Sequence, residues 1–129
     1  MTGPGAGAGS LRLSAPRTVV PGSGLPADLE VGRSNNNLDA IRFGGRTYLV
    51  WRTAPSHFAS PDTRMHVVSS TDEVTWSYET SFQMDTDLRE CRFLVVSGTL
   101  FLYVSRLGND AATFTPEGFS YSQRQPDGT

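Results

Sequence analysis

The sequence has little of several features that mark common classes of protein. Its 129 residues include a single cysteine, Cys91, which excludes an internal disulfide and a cysteine-cluster metal site. No apolar run approaches the roughly 18 residues that span a bilayer. Met1 to Ser10 lacks the basic start and apolar centre of a secretory signal. We therefore expect a soluble chain without a membrane partner, in a compartment that the sequence does not indicate.

An excess of positive charge is also missing. Eleven Lys and Arg stand against 13 Asp and Glu, which gives a net charge of −2. Proteins that bind the phosphate backbone usually carry a strongly basic surface. We therefore expect no nucleic-acid partner.

The usual patterns for metals and cofactors are absent as well. His57 and His66 have no carboxylate at metal-ligand spacing, and Asp85-Thr86-Asp87 lacks the rest of a calcium loop. No glycine-rich loop opens a strand-to-helix unit that would hold phosphates. We predict no metal and no cofactor, and we interpret Cys91 as a structural free thiol rather than a nucleophile.

The first 34 residues differ in composition from the rest. The segment MTGPGAGAGS is almost all Gly, Ala and Pro, and further prolines and glycines interrupt the chain up to Pro26. Such a segment has too few side chains to offset an ordering entropy of roughly 1–2 kcal/mol per residue. We predict a flexible leader over residues 1–34, in which Leu11–Leu13 and Thr18–Val20 are candidates for short edge strands.

From residue 35 onward the pattern is typical of β-structure. The predicted strands are Ala40–Phe43, Arg46–Arg52, Arg64–Ser69 and Ser77–Phe82. Gly44-Gly45 between the first two predicts a tight hairpin turn. No sustained 3.6-residue period predicts a helix.

This pattern recurs 53 residues later. Phe43–Leu49 aligns with Val96–Leu102, apolar on apolar and turn on turn, and the same offset places His66–Val68 on Phe119–Tyr121. A repeat of roughly 40–50 residues with four short strands is typical of a propeller blade. We therefore predict an all-β fold of two antiparallel four-stranded blades, over residues 35–85 and 86–129.

The length limits what such blades can form. A propeller has 4–8 blades, so at about 50 residues each a closed ring needs roughly 200 residues or more. The chain ends at Gln125–Thr129, in what resembles the middle of a turn. We expect the second blade to be truncated, and the chain to be a piece of a longer protein or part of an assembly that other chains complete.

The turn STDEVTW resembles the Asp-box, or BNR repeat, of sialidase-like β-propellers in its shorter form, Ser-x-Asp-Gly-x-Thr-Trp. The matching residues are Ser70, Asp72, Thr75 and Trp76. Glu73 stands where that form has Gly, and Asp127-Gly128-Thr129 resembles a second copy that is cut off. In such a turn the Asp side chain hydrogen-bonds the backbone and the Trp packs into the sheet. The resemblance implies that these Asp-box residues have a structural role and that the chain is part of a six-bladed propeller.

In sialidase-like propellers the function lies at the mouth of the central channel, where the inner strands begin. Asn36–Asp39 aligns at this position with Arg89–Arg92, and Arg89-Glu90-Cys91 resembles the family's Arg-Ile-Pro segment with two residues changed. Arginines suit a carboxylate or vicinal hydroxyls because the planar guanidinium makes paired hydrogen bonds. The structural alternative is that Arg89, Glu90 and Arg92 form salt bridges between blades or solvated strand ends.

The loop Thr53–Asp62 is the second candidate region. The imidazole of His57 could act as acid, base or donor to a sugar, or could have no such role. Asp62 does not fall on the family's acid/base aspartate, whereas Arg52 before the loop resembles an arginine of the family. The candidate ligand-binding residues are Arg52, His57, Arg89, Glu90 and Arg92.

The resemblance implies a fragment of a carbohydrate-acting, glycoside hydrolase-type protein similar to exo-sialidases, with an acidic sugar as a ligand. The tyrosine nucleophile and its glutamate come from later blades in that family, so the fragment would be inactive by itself and its catalytic residues are unknown. A non-catalytic glycan- or protein-binding propeller is the alternative. A third hypothesis is a degraded gene product that self-associates through open blade edges.

Overall fold

A computed structural model describes residues 12–128 of the chain. Within these residues there are seven strands and no helix, so no helix that could span a bilayer. The strands are β1 (Ser34–Phe43), β2 (Arg46–Ala54), β3 (Arg64–Ser70), β4 (Ser77–Phe82), β5 (Leu88–Val96), β6 (Thr99–Arg106) and β7 (Gly118–Gln123). Strands β1 to β4 form the first sheet and β5 to β7 the second, each in chain order and antiparallel. The expected all-β, antiparallel fold is confirmed.

Both sheets begin with the same kind of hairpin. Gly44 and Gly45 connect β1 to β2 with φ angles of 56° and 78°, and Ser97 and Gly98 connect β5 to β6 with 49° and 77°. Two successive residues with positive φ form the turn whose twist matches that of the flanking strands. The tight turn predicted at Gly44-Gly45 is present, and it recurs 53 residues later.

The first strand of each sheet carries a bulge at the same place. The register of β1 shifts between Asn36 and Asp39, and that of β5 shifts between Arg89 and Arg92. A bulge bends its strand and changes the direction in which nearby side chains point. The structure therefore repeats in detail as well as in strand order.

The third strands depart by one residue from the alignment that the sequence suggests. Met65 lies opposite Arg52 in the first sheet, and Phe119 lies opposite Ser105 in the second. Phe119 therefore corresponds to Met65 rather than to His66. The physical reason is that the connection between the paired positions is one residue longer in the second sheet.

The two sheets stack face to face. We call the face of the first sheet that carries Tyr48 and Val50 its front, and the face that carries Leu49 and Trp51 its back. The core between the sheets consists of Tyr48, Val50, Met65 and Val67 from the front of the first sheet and Leu88, Cys91, Leu100, Leu102 and Val104 from the second. Burial of each such aliphatic or aromatic side chain contributes about 1.5–3 kcal/mol.

The segment before β1 covers the back of the first sheet. Leu11 lies outside the described residues, and residues 12–33 form no strand, including Thr18–Val20. A second apolar cluster nevertheless joins the segment to the sheet: Leu49, Trp51, Val68 and Trp76 contact Val19, Val20, Leu25, Leu29 and Val31. Composition alone does not indicate this packing. It arises because two tryptophans on the back offer a large apolar surface to the few apolar residues of the segment.

Candidate functional site

A buried carboxylate joins the two sheets at the end where β1 and β5 begin. Asp87, just before β5, is fully buried. Its Oδ1 accepts hydrogen bonds from Arg52 Nη2 at 2.7 Å and from Thr63 Oγ1 at 2.7 Å, and its Oδ2 accepts from Arg89 Nε at 2.5 Å. Burial favours the protonated form, but the hydrogen bonds from Arg89, Thr63 and Arg52 outweigh it and lower the pKa of Asp87 below its usual range. The carboxylate therefore stays charged between two arginines.

The same two arginines hold the loop between β2 and β3. Arg52 donates to the carbonyl oxygens of Ser56 at 3.3 Å and Phe58 at 3.0 Å, and Arg89 donates to that of His57 at 2.5 Å. The side chain of Arg52 is 0% exposed and that of Arg89 only 7%. Both guanidiniums thus serve the contact between the sheets and the loop, below the molecular surface.

His57 lies on the surface above this network. Asn36 Nδ2 approaches His57 Nδ1 to 3.1 Å. Because an amide nitrogen only donates, His57 Nδ1 accepts this hydrogen bond. The same Asn36 Nδ2 also lies 3.2 Å from Ser34 Oγ, while the buried Oδ1 of Asn36 has no protein hydrogen-bond partner within residues 12–128.

The two bulges contact each other beside His57. Asn37 and Glu90 occupy equivalent positions with φ angles of 49° and 45°, and Asn37 Nδ2 donates to Glu90 Oε1 at 2.8 Å. Asn36, Asn37, His57 and Glu90 together form a contiguous polar strip, which we call the rim. Residues held in this sparsely populated conformation are often found at functional sites.

Cys91 lies buried beneath the rim, and its thiol is not available as a nucleophile. Its Sγ donates to the carbonyl oxygen of Asn37 at 2.6 Å. Burial and the nearby charge of Asp39 raise the pKa of the Cys91 thiol to about 12. The thiol therefore stays protonated and connects β5 to β1.

Two other residues singled out in the sequence lie elsewhere. Arg92 is exposed, donates to the Cys91 carbonyl oxygen at 2.7 Å and lies opposite Tyr103, on the outer face of the second sheet. Asp62 is exposed and its N–H donates to Ser60 Oγ at 3.1 Å in a local turn. Of the five candidate ligand residues, the structure brings His57 and Glu90 onto the rim, buries Arg52 and Arg89 beneath it, and places Arg92 apart.

The turn Ser70–Trp76 is at the opposite end of the strands, since Ser70 pairs with Thr47 at the start of β2. Asp72 Oδ1 accepts from the N–H groups of Thr75 at 2.8 Å and Val74 at 2.9 Å and from Ser70 Oγ at 2.8 Å. These hydrogen bonds lower the pKa of Asp72 to about 2. Among residues 12–128, every polar contact made by Asp72 stays within the turn, which supports a structural role for it.

Sequence reasoning missed Asp87 and the rim asparagines. Arg52 and Asp87 are 35 residues apart, and no local pattern indicates that they pair. For Asn37 a signal existed, because the repeat aligns it with Glu90. Within residues 12–128 no group of three or more His, Cys, Asp and Glu is arranged to hold a metal ion.

Comparison of the chain with protein-family models, with curated proteins and with solved structures gave no match. A proposal about the function of this protein must therefore be argued from the geometry of the chain itself.

Proposed function

We propose that this protein binds carbohydrate at the rim and that its two sheets are neighbouring blades of a sialidase-like β-propeller. The observation that carries the proposal is the repetition of a bulge with a left-handed residue, Asn37 or Glu90, at the start of each sheet. In a propeller these starts surround the central channel. The repeated turns and the stacking of one sheet on the next support the same arrangement.

The chemistry of the rim suits hydroxyl groups. Two amides, an imidazole and a carboxylate supply both donors and acceptors within one strip. The exposed charge there is the anionic Glu90, whereas the cationic Arg52 and Arg89 are occupied by Asp87. A neutral polyhydroxyl ligand therefore fits the rim better than an acidic sugar, whose carboxylate Glu90 would repel.

The test is a titration of the isotope-labelled chain with galactose and, separately, with sialic acid, followed by amide NMR. We expect galactose to shift the resonances of the four rim residues with millimolar affinity, because few contacts offset the entropy of binding. His57→Gln and Glu90→Ala should each weaken the response. Asp85→Asn, which changes an exposed residue outside the rim, should leave it unchanged.

Each outcome has a distinct meaning. Shifts confined to the rim and lost in its variants support the proposal. Stronger binding of sialic acid would support the acidic sugar expected from the resemblance instead of a neutral one. Absence of any rim response to either sugar at high millimolar concentration would overturn carbohydrate binding by this chain.

Hydrolysis is the second candidate, and one observation favours it: His57 and Glu90, two titratable groups, lie on the same strip beside Asn36 and Asn37, to which they hydrogen-bond. Release of a fluorescent aglycone from an aryl galactoside or an aryl sialoside tests it. Turnover that is lost in Glu90→Gln would favour an enzyme over a binding protein.

A further inference from the structure

The second sheet leaves its front open. Residues 53 positions after Tyr48 and Val50 are Phe101 and Tyr103, so the face of β6 that carries them is equivalent to the front of the first sheet. On the first sheet this face is covered by the second sheet. On the second sheet, no part of residues 12–128 forms an apolar cluster over it.

The open front is mainly apolar and aromatic, and it also carries the exposed Arg92, which lies opposite Tyr103. Tyr121 is 67% exposed and Phe119 77%, and Leu94 and Val96 are exposed on the same face of β5. Tyr121 lies 5.8 Å from Tyr103 and 6.3 Å from Phe101 between ring centroids. Contiguous exposed apolar surface of this kind marks an interaction site.

The back of the first sheet is the counterpart of this front. Leu49 and Trp51 on that back correspond to Leu102 and Val104, which pack against the front of the first sheet. The molecule therefore contains one interface in which the back of one sheet, the second, packs on the front of another, the first. It also contains an unused front at one end and a back covered by residues 19–31 at the other.

Residues 19–31 fill the place of a sheet without forming one. They attach through a few polar contacts: the backbone N–H of Trp76 donates to the Gly24 carbonyl oxygen at 2.9 Å, and His66 Nε2 lies 2.8 Å from the Glu30 carbonyl oxygen. The exposed carboxylate of Glu30 also pairs with Arg64 at 2.5 Å. Their five apolar side chains in the cluster are only partly buried. The covering is thus thinner than the packing of one sheet on another.

We propose that residues 19–31 are a cap, and that when the cap leaves, the back of the first sheet binds the open front of the second sheet in another copy of this chain. The interface inside the molecule is the template, because it joins the same two faces. Packing of two open fronts on each other has no such template among the sheets that the structure describes. This inference goes beyond the proposed function, since it needs no carbohydrate.

The test uses the full chain and follows its mass by sedimentation velocity over a series of concentrations. Leu25→Asp with Leu29→Asp places two charges under the cap and should release it. Ser23→Asp with Ala27→Asp adds the same charge at two exposed positions of the segment and is the matched control. We expect the native chain and the control to stay monomeric and the release variant to form concentration-dependent oligomers.

A substitution on the open front tests whether this face takes part in the association. Tyr121→Lys in the release variant should return it to a monomer, because a lysine on this face must lose its hydration for another sheet to pack there. A release variant that keeps its near-ultraviolet circular dichroism and remains monomeric would overturn the proposal. Association of the native chain that is equal to that of the release variant and is lost on Tyr121→Lys would also overturn it, since it would show that two open fronts pair.

A milder variant covers the case in which the release variant fails to fold. Leu29→Ala removes part of one apolar contact and should raise the fraction of oligomer above that of the native chain. A synthetic peptide of residues 12–33 should compete for the vacated back and restore the monomer. Oligomers that persist with excess peptide would contradict the role of the back.

Discussion

Asn37 donates a hydrogen bond to Glu90 across 2.8 Å, and the two residues stand at the same position of the two sheets, 53 residues apart. Both have a left-handed backbone, which an L-residue adopts at a cost of roughly 1–2 kcal/mol. The contact therefore joins one bulge to its own repeat and offsets part of that strain.

This hydrogen bond predicts the effect of replacing its donor, the Asn37 amide, by a carboxylate. Asn37→Asp keeps a side chain that tolerates the left-handed conformation but sets one carboxylate against another. We expect a loss of about 1 kcal/mol in the free energy of unfolding, measured by urea denaturation. Glu90→Gln in the same chain should restore most of it, because the glutamine amide can donate to the new carboxylate. An equal loss with and without Glu90→Gln would show that the two side chains are not coupled.

The buried network predicts a larger effect. Asp87→Asn leaves Arg52, which is fully buried, without its anionic partner, and removal of one partner from a buried pair typically costs about 3–5 kcal/mol. Chemical denaturation should show a loss of this size. Asp85→Asn is the matched control, since Asp85 is exposed and asparagine tolerates its φ angle of 42°. Similar stability of the two variants would contradict a stabilising role for the network.

The turns and the repeat could be predicted from the sequence because their causes are local. Gly45 and Gly98 occupy positions with positive φ, where glycine is least strained, and they pin the alignment of the two sheets. The fate of Arg52 could not be predicted in this way. An arginine at the end of a strand has the same pattern whether it faces a ligand or a buried carboxylate, and Asp87 is distant in the chain.

The cap shows a second limit of sequence reasoning. Composition indicates how much a segment can bury by itself, and residues 19–31 can bury little. It does not indicate what surface the rest of the fold offers. Trp51 on β2 and Trp76 before β4 are distant in the chain, and the fold brings them into one cluster on the back of the first sheet.

Burial of His66 predicts that the free energy of unfolding depends on pH near neutrality. It is buried against Trp51, with ring centroids 5.4 Å apart, and this burial lowers the pKa of His66 below its ordinary value of 6.5. The unfolded chain therefore binds the proton more readily, so the free energy of unfolding should fall as the pH drops through 6.5 toward the lower folded pKa. Urea denaturation between about pH 8 and about pH 5 measures the change.

Two variants assign this pH dependence to one histidine. His66→Gln should remove it, and because the changed packing also alters the starting stability, the slope against pH is the quantity to compare. His57→Gln should keep it, since His57 is exposed. A slope that survives in His66→Gln would place the titrating group elsewhere.

Asp72 predicts a second pH dependence of stability, at acidic pH. Its pKa of about 2 lies below the ordinary 3.8 because Thr75, Val74 and Ser70 donate to its carboxylate. A carboxyl group with a lowered folded pKa stabilises the fold above the unfolded value and loses that contribution as the pH falls through the folded one. The turn should therefore weaken between pH 3.8 and about 2, and the carboxyl carbon resonance of Asp72 should titrate in the lower part of that window.

Two variants of the turn test this assignment. Thr71→Ala, in the same turn but without a role in these hydrogen bonds, should leave the titration unchanged, whereas Ser70→Ala should raise the pKa of Asp72. Titration of Asp72 near 3.8 in the native chain would show that the turn does not hold its carboxylate.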